Sequence, residues 1–102
     1  MGYLYLYHIK DLKSYCQLEC QHIIQSNKFK DDLDYYRGKW LAYIIGIKIS
    51  NKLILKKEQI NKHTLYYHFK KQQNKHMKKR GYADGMYDIM NYISNIDEKS
   101  VV

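Results

Sequence analysis

Apolar residues in the first quarter of the chain recur every three or four positions. Because residues at this spacing share one face of a helix, the pattern predicts an amphipathic helix from about Leu6 to Gln25. Residues 3–9 also begin with an alternation of Tyr and Leu, so a short N-terminal strand is the alternative for the start of the chain. The inward stripe of the predicted helix is Tyr5, Ile9, Leu12, Cys16, Cys20 and Ile23.

A second helical pattern follows three acidic residues, Asp31, Asp32 and Asp34. Acidic side chains favour a helix N-terminus because they interact with the positive end of the helix dipole. The pattern predicts a helix over residues 32–47, with Trp40 as its large core anchor. The predicted inward residues are Leu33, Tyr36, Trp40, Ile44 and Ile47.

The segment that follows, residues 47–55, allows two interpretations. It fits a small hairpin that turns at Ser50 and Asn51, or a junction between two helices. The junction is favoured, and both interpretations end the second helix near Ile47.

Helix-forming residues then continue without a break over residues 57–79. Leu65 and Phe69 fall on the buried side of this third helix. Gly81 is suited to end it, because glycine readily adopts the left-handed conformation of a helix C-terminus.

A last helix is predicted over residues 83–96, and the polar tail at 97–102 is expected to fray. The chain has no proline and five glycines, so few positions force a break. The patterns together predict one all-α domain spanning residues 1–102, a compact bundle of about four helices with short turns. The inward residues of the last helix are Met86, Ile89, Met90, Ile93 and Ile96.

Two glycines lie early in predicted helices, Gly38 and Gly85. A glycine inside a helix costs about 1 kcal/mol relative to alanine, so it usually has a packing reason. We therefore expect close approach of two helices at Gly38 and Ala42, and at Ala83 and Gly85.

Positive charge is concentrated in one part of the chain. Between Lys48 and Arg80 there are eleven Lys or Arg residues and one acid, Glu58, within a chain of formal net charge +8. Such a block, interleaved with aromatic residues, indicates a polyanionic partner, either nucleic acid or a nucleoprotein, unless it is only a solvated helix face. The candidate binding residues are Lys62, Tyr67, Lys70, Lys71, Asn74, Lys75, Lys78, Lys79 and Arg80.

Phosphates rather than base edges are the expected contacts of this block. The chain has only two arginines, Arg37 and Arg80, and bidentate recognition of guanine depends mainly on arginine. The rings of Tyr66 or Tyr67 could stack on unpaired bases.

Residues with catalytic or metal-binding chemistry are few. Cys16 and Cys20 share a helix face near His22, but no fourth ligand completes a metal site, so they are interpreted as buried free thiols. Three histidines, at 63, 68 and 76, could act with Glu58, Asp84 or Asp88 in acid–base chemistry. Because no nucleophile motif or phosphate-binding loop accompanies them, we expect no enzyme activity, no cofactor and no small-molecule substrate.

Residues 64–70, with the sequence TLYYHFK, resemble the end of the recognition helix in TetR-type regulators. The Ala-x-x-Ala-Gly-Val helix and turn that precede it in that family are missing, and KKEQI stands there at residues 56–60. The resemblance implies a dimeric helix-turn-helix protein that binds a short palindromic site.

Residues 35–43 (YYRGKWLAY) and 81–88 (GYADGMYD) are similar to helices common in small early proteins of low-GC phages and mobile elements. The similarity implies a role in counteracting or redirecting host machinery, of which anti-CRISPR inhibitors are one class. The leading hypothesis is a non-enzymatic protein that inhibits or redirects a host nucleic-acid-handling complex through its basic, tyrosine-rich surface. The alternative is an accessory protein that binds DNA or RNA directly through phosphates.

The expected partner is therefore a host nucleoprotein complex or nucleic acid, and a homodimer stays open. No apolar run approaches the roughly 18 residues needed to cross a bilayer, so no membrane partner is expected. The expected location is the cytoplasm.

Overall fold

Four helices dominate the computed structural model, which describes residues 3–57 and 59–96. They are α1 (Leu6–Gln25), α2 (Leu33–Lys56), α3 (Lys62–Lys75) and α4 (Arg80–Ser94). A 3-10 turn connects α1 to α2. The all-α bundle with short turns is confirmed, whereas the predicted fraying of 97–102 lies outside the described residues.

The start of the chain contains both of the structures that its sequence allowed. Strand β1 (Tyr3–Leu4) pairs antiparallel with β2 (Ile60–Asn61), and α1 begins two residues later. The inward stripe of α1 is confirmed from Ile9 to Ile23, whereas Tyr5 is exposed. The turn between strand and helix is held by the backbone N–H of Tyr5, which donates to Nδ1 of the buried His8 at 2.9 Å.

The helices form two antiparallel pairs. In the first, the Sγ atom of Cys20 on α1 lies 3.9 Å from the carbonyl oxygen of Trp40 on α2, and Cys16 lies against Gly46 one to two turns further along. In the second pair, the side-chain amide of Gln73 on α3 donates to the carbonyl oxygen of Ala83 on α4. Helix α2 lies at the centre, because it packs against both α1 and α4.

The two pairs meet where α2 and α4 run parallel at very short distance. A Cβ atom at Gly38 would lie 2.8 Å from the backbone nitrogen of Tyr82, and one at Gly85 would lie 2.6 Å from the Cβ of Ala42. The predicted close approach at Gly38, Ala42 and Gly85 is therefore confirmed. We call this contact the α2–α4 interface.

Gly81 has a different role from the one its sequence position indicated. The prediction that it ends the third helix in a left-handed conformation is wrong, because α3 already ends at Lys75 and no described glycine has a positive φ. Gly81 lies instead in the first turn of α4, where a Cβ atom would overlap the backbone carbonyl oxygen of Tyr35. Its missing side chain thus allows the two backbones to touch.

The prediction of a junction or hairpin at 47–55 is also wrong, because α2 continues to Lys56 as one helix. The polar residue that indicated a break, Ser50, is fully buried, and its hydroxyl donates to the carbonyl oxygen of Gly46 at 2.8 Å. This bond satisfies the hydroxyl within the helix. Lys57 caps the end of the helix and adopts the left-handed conformation with φ 52°.

The buried face of α2 differs from the predicted stripe as well. Leu33 is exposed, and Trp40 is only half-buried, so the anchor role falls to Tyr43, which is 1% exposed. A helix packed on two sides buries a broad surface rather than one stripe, and small residues fill the closest contacts. The buried residues of α2 are Gly38, Ala42, Tyr43, Gly46, Ser50 and Leu53.

The last two helices keep their predicted inward faces but change their limits. Leu65 and Phe69 are fully buried, and the stripe of α4 from Met86 to Ile93 is confirmed, with Ile96 half-buried. Helix α3 is shorter than predicted at both ends, and α4 starts three residues earlier than predicted. Asn61 sets the start of α3, because its side-chain oxygen accepts from the backbone N–H of His63 at 2.7 Å.

Candidate nucleic-acid interface

The outer side of α3 is basic and exposed. Because Leu65 and Phe69 turn inward, the opposite side of the helix faces solvent, and α3 contains no Asp or Glu. The ring of Tyr67 is 61% exposed in the middle of this side. Five of the exposed residues of α3 are called the basic face here, namely Tyr67, Lys70, Lys71, Asn74 and Lys75.

Three further predicted residues lie beyond the end of α3. Lys78 is in the connecting turn, Lys79 is the N-cap of α4 and Arg80 is its first helical residue, and all three are exposed. The sequence analysis had included Lys78 and Lys79 in the third helix, whereas all three residues lie past its end and continue its positive charge around the turn.

Packing of α2 against α4 places a further basic residue near this turn, one that the sequence analysis did not select. Arg37 of α2 lines a cleft of about 560 Å³ together with Lys78, Lys79 and Arg80. Asp32 and Asp34 line the same cleft, so it contains charges of both signs. The only sequence signal for Arg37 was its neighbour Gly38, which marked this part of α2 as a site of close helix approach.

Lys62 differs from the other predicted lysines. It is half-buried, and its Nζ atom donates to the carbonyl oxygen of Ile96 at 2.8 Å, just past the end of α4. A cation at a helix C-terminus is favourable because it satisfies free carbonyl groups. Lys62 therefore ties α3 to α4 and does not belong to the basic face.

Carboxylates of α4 are engaged away from the basic face. Asp84 accepts from the Tyr35 hydroxyl at 2.6 Å, and Asp88 accepts from the Tyr43 hydroxyl at 2.7 Å. The Oδ2 atom of Asp88 also lies 3.5 Å from the Nζ atom of Lys39. This contact is the ion pair that the structure shows within residues 3–57 and 59–96. Among those residues, the lysines of the basic face are thus left without a carboxylate partner.

These contacts also change the acidity of the two tyrosines. The hydrogen bond to Asp84 raises the pKa of Tyr35 to about 12, since ionisation would place two negative charges side by side. Burial raises the pKa of Tyr43, and the bond to Asp88 adds to the effect. Both tyrosines remain protonated donors at neutral pH and hold α2 against α4.

Within the described residues, the groups considered for metal binding do not come together. Burial raises the pKa of Cys16 to about 12 and that of Cys20 to about 11, and both are free cysteines, so the interpretation as buried free thiols is confirmed. Across the described ranges, no three His, Cys, Asp or Glu side chains are placed to share a metal ion. The three histidines at 63, 68 and 76 are exposed, and Glu58 lies outside the described residues.

The TetR-like segment at 64–70 lies in the middle of α3. Consecutive helices of a helix-turn-helix are joined by a short turn of three or four residues. Here α3 packs mainly on the following helix, α4, and the five residues between α2 and α3 include strand β2. The segment thus supplies the core residues Leu65 and Phe69 and two exposed rings, those of Tyr67 and His68.

No helix in the described part of the chain combines the length and the apolar character needed to span a membrane. Comparison of the chain with protein-family models, with curated proteins and with solved structures gave no match. The surface chemistry of α3 and of the α3–α4 turn is therefore the basis for a proposed function.

Proposed function

We propose that this chain is a non-enzymatic binding protein that inhibits or redirects a host nucleic-acid-handling complex. In this proposal the basic face of α3 contacts the nucleic acid held in that complex. The observation that carries it is the exposure of Lys70, Lys71 and Lys75 on a helix without acidic residues. Lysines at this density repel one another in the free protein, and phosphates relieve the repulsion while releasing counterions.

The positive charge of the basic face limits which part of a nucleoprotein complex it can contact. The groove in which a protein holds nucleic acid is itself rich in Lys and Arg. A second basic surface would be repelled from such a groove, because like charges brought together cost several kcal/mol. The phosphates of the bound nucleic acid, or an acidic protein surface, are the complementary targets. Phosphates are favoured by the aromatic ring of Tyr67 among the lysines, since such rings can stack on bases.

A charge-reversal experiment with a matched control tests the proposal. The first variant changes Lys70, Lys71, Lys75 and Lys78 to Glu. The control changes Lys10, Lys48, Lys52 and Lys56 to Glu, four exposed lysines on α1 and α2. Both variants have the same net charge, so only the position of the charge differs.

Binding is measured by fluorescence anisotropy with labelled DNA and RNA from about 50 to 200 mM salt. We expect the first variant to lose affinity by at least roughly 100-fold and to lower the salt slope by up to about 3.6 for duplex DNA, at about 0.9 per phosphate contact. The control should stay close to wild type. Equal losses in both variants, or none in either, would show that the basic face is only solvated surface.

The second candidate function is an accessory protein that binds free DNA or RNA through the same phosphates. The exposed Tyr67 ring favours it too, since stacking needs no other protein. The two functions separate in a reconstituted system. A direct binder retains its full affinity for free nucleic acid, whereas an inhibitor binds the assembled nucleoprotein more tightly than the nucleic acid alone.

A further inference from the structure

We infer that the nucleic acid bound by the basic face is single-stranded, and that an unpaired base stacks on the ring of Tyr67. The inference rests on the proposed function, and it names the form of nucleic acid that this site prefers. Tyr67 carries the one large aromatic ring among the exposed lysines of α3.

The Tyr67 ring is presented to solvent in a defined orientation. It is 61% exposed and lies edge-to-face against Tyr66, with ring centroids 5.8 Å apart and an interplanar angle of 84°. Tyr66 is half-buried and packs against the hydrophobic core, so it is held in place from below. A ring supported in this way loses little conformational freedom when a base stacks on it, which favours binding.

Phosphate-binding groups lie beside the ring at helical spacing. Lys70 and Lys71 follow Tyr67 by three and four residues, and side chains at those spacings are neighbours on a helix surface. Lys75 is one turn further along the same side. A base on the ring would thus have its flanking phosphates next to lysine ammonium groups, the arrangement of stacking ring and positive groove typical of single-strand binding proteins.

The same arrangement suits a duplex poorly. In a duplex the bases are already stacked on each other, so a protein ring gains a base only after costly unstacking. A large ring in the middle of α3 would also stand between the helix and the floor of a groove. The described part of α3 has no arginine to form bidentate contacts with base edges in compensation.

A second exposed tyrosine provides a matched control. Tyr87 on α4 is also 61% exposed, but its neighbours at helical spacing are Asp84 and Asn91 rather than lysines. Removal of its ring costs the same exposed aromatic surface without touching a positive site. Tyr67→Leu, Tyr67→Phe and Tyr87→Leu are all changes at exposed positions, and far-UV circular dichroism checks that each variant keeps its helix content.

The test uses three labelled probes of equal length, namely oligo-dT, its duplex with oligo-dA, and an abasic oligomer that keeps the phosphates but lacks bases. We expect wild type to bind oligo-dT more tightly than the other two probes. Tyr67→Leu should lose roughly 5- to 150-fold for oligo-dT, the range measured for loss of one base–aromatic stack, without a change in salt slope. Tyr67→Phe should retain binding, because the aromatic ring remains.

The abasic probe isolates stacking from charge. The affinity of wild type for the abasic probe should equal the affinity of Tyr67→Leu for oligo-dT. Wild type and Tyr67→Leu should bind the abasic probe with the same affinity, because it has no base to stack on the ring. Tyr87→Leu should match wild type on every probe. Equal wild-type affinity for duplex and single strand, or equal effects of Tyr67→Leu and Tyr87→Leu, would overturn the inference.

These outcomes are separate from the fate of the proposed function. If binding depends on the lysines but is the same for Tyr67→Leu and for single-stranded and duplex probes, the proposed function stands and the single-strand inference is wrong. Absence of lysine-dependent binding to any probe would remove both.

Discussion

Replacement of Gly81 by alanine tests the central packing feature of the fold, the backbone contact between α2 and α4. The added Cβ atom would overlap the carbonyl oxygen of Tyr35, a main-chain atom that cannot rotate away. The two helices would therefore have to separate. Separation would weaken the hydrogen bonds that Asp84 and Asp88 accept across the interface.

We expect Gly81→Ala to destabilise the fold by about 3 kcal/mol, the upper end of the usual cost of overpacking. The higher helix propensity of alanine, about 1 kcal/mol, offsets only part of the strain. For a domain of this size the loss corresponds to a fall in melting temperature of roughly 12–24 °C. Thermal and urea denaturation followed by circular dichroism measure it, with no change in helix content at low temperature.

Gly46→Ala is the matched comparison for Gly81→Ala. Its Cβ atom would meet the Sγ atom of Cys16 at 2.6 Å and the Cδ1 atom of Ile89 at 3.1 Å, and these side-chain atoms can shift. The expected cost is about 1 kcal/mol, the lower end of the same range. If Gly81→Ala is as stable as wild type, or no less stable than Gly46→Ala, the backbone contact described for α2 and α4 is refuted.

Three further predictions concern stability. Burial raises the pKa of Cys16 from 9.0 to about 12, so the thiol holds its proton more tightly in the folded than in the unfolded state. The contribution of this thiol to the free energy of unfolding is therefore complete below pH 9 and falls by about 1.4 kcal/mol per pH unit between pH 9 and pH 12. Urea unfolding across this window measures the fall, which should be smaller in Cys16→Ala. Lys62→Met should cost about 1 kcal/mol by removing the bond to Ile96, with unchanged nucleic-acid affinity in the anisotropy assay; a loss of affinity would place Lys62 in the binding surface after all. Tyr43→Phe should cost about 1 kcal/mol in the same unfolding assay, because it removes the hydrogen bond from the Tyr43 hydroxyl to Asp88, which keeps its contact with Lys39, and a neutral outcome would contradict the assigned bond.

The sequence was most informative where a helix buries a single face. The sequence predicted the buried stripe of α4 from Met86 to Ile93 and that of α1 from Ile9 to Ile23. Each of these helices has one face in the core and the opposite face in solvent, so its apolar residues recur with the helical period. The central helix α2 packs on two sides, so its small and polar buried residues carry no clear period. Ser50 was misinterpreted for this reason, since the carbonyl group that satisfies its hydroxyl is visible only in the structure.

The basic face was predicted in part. The exposed positions of α3 follow from its helical period once Leu65 and Phe69 are assigned to the core, and the structure agrees with them. Arg37 could not be found in this way, because its approach to Lys78 depends on packing between residues more than forty positions apart. Lys62 was assigned to the surface because the carbonyl group it binds belongs to Ile96, 34 positions further along the chain.

The arrangement of the helices has a consequence for how the chain folds. The α1–α2 and α3–α4 pairs join neighbours in sequence, whereas the α2–α4 contact joins residues separated by about half the chain. Contacts between residues that are distant in sequence form only after a larger loss of chain entropy. We therefore expect each helical hairpin to form first, and the docking of the two hairpins to be the last step of folding. The hairpins are linked by only a few residues around Lys57, and the same docking surface is available on every copy of the chain. At high concentration during refolding, the second hairpin of one molecule can therefore dock on the first hairpin of another, which would yield domain-swapped dimers.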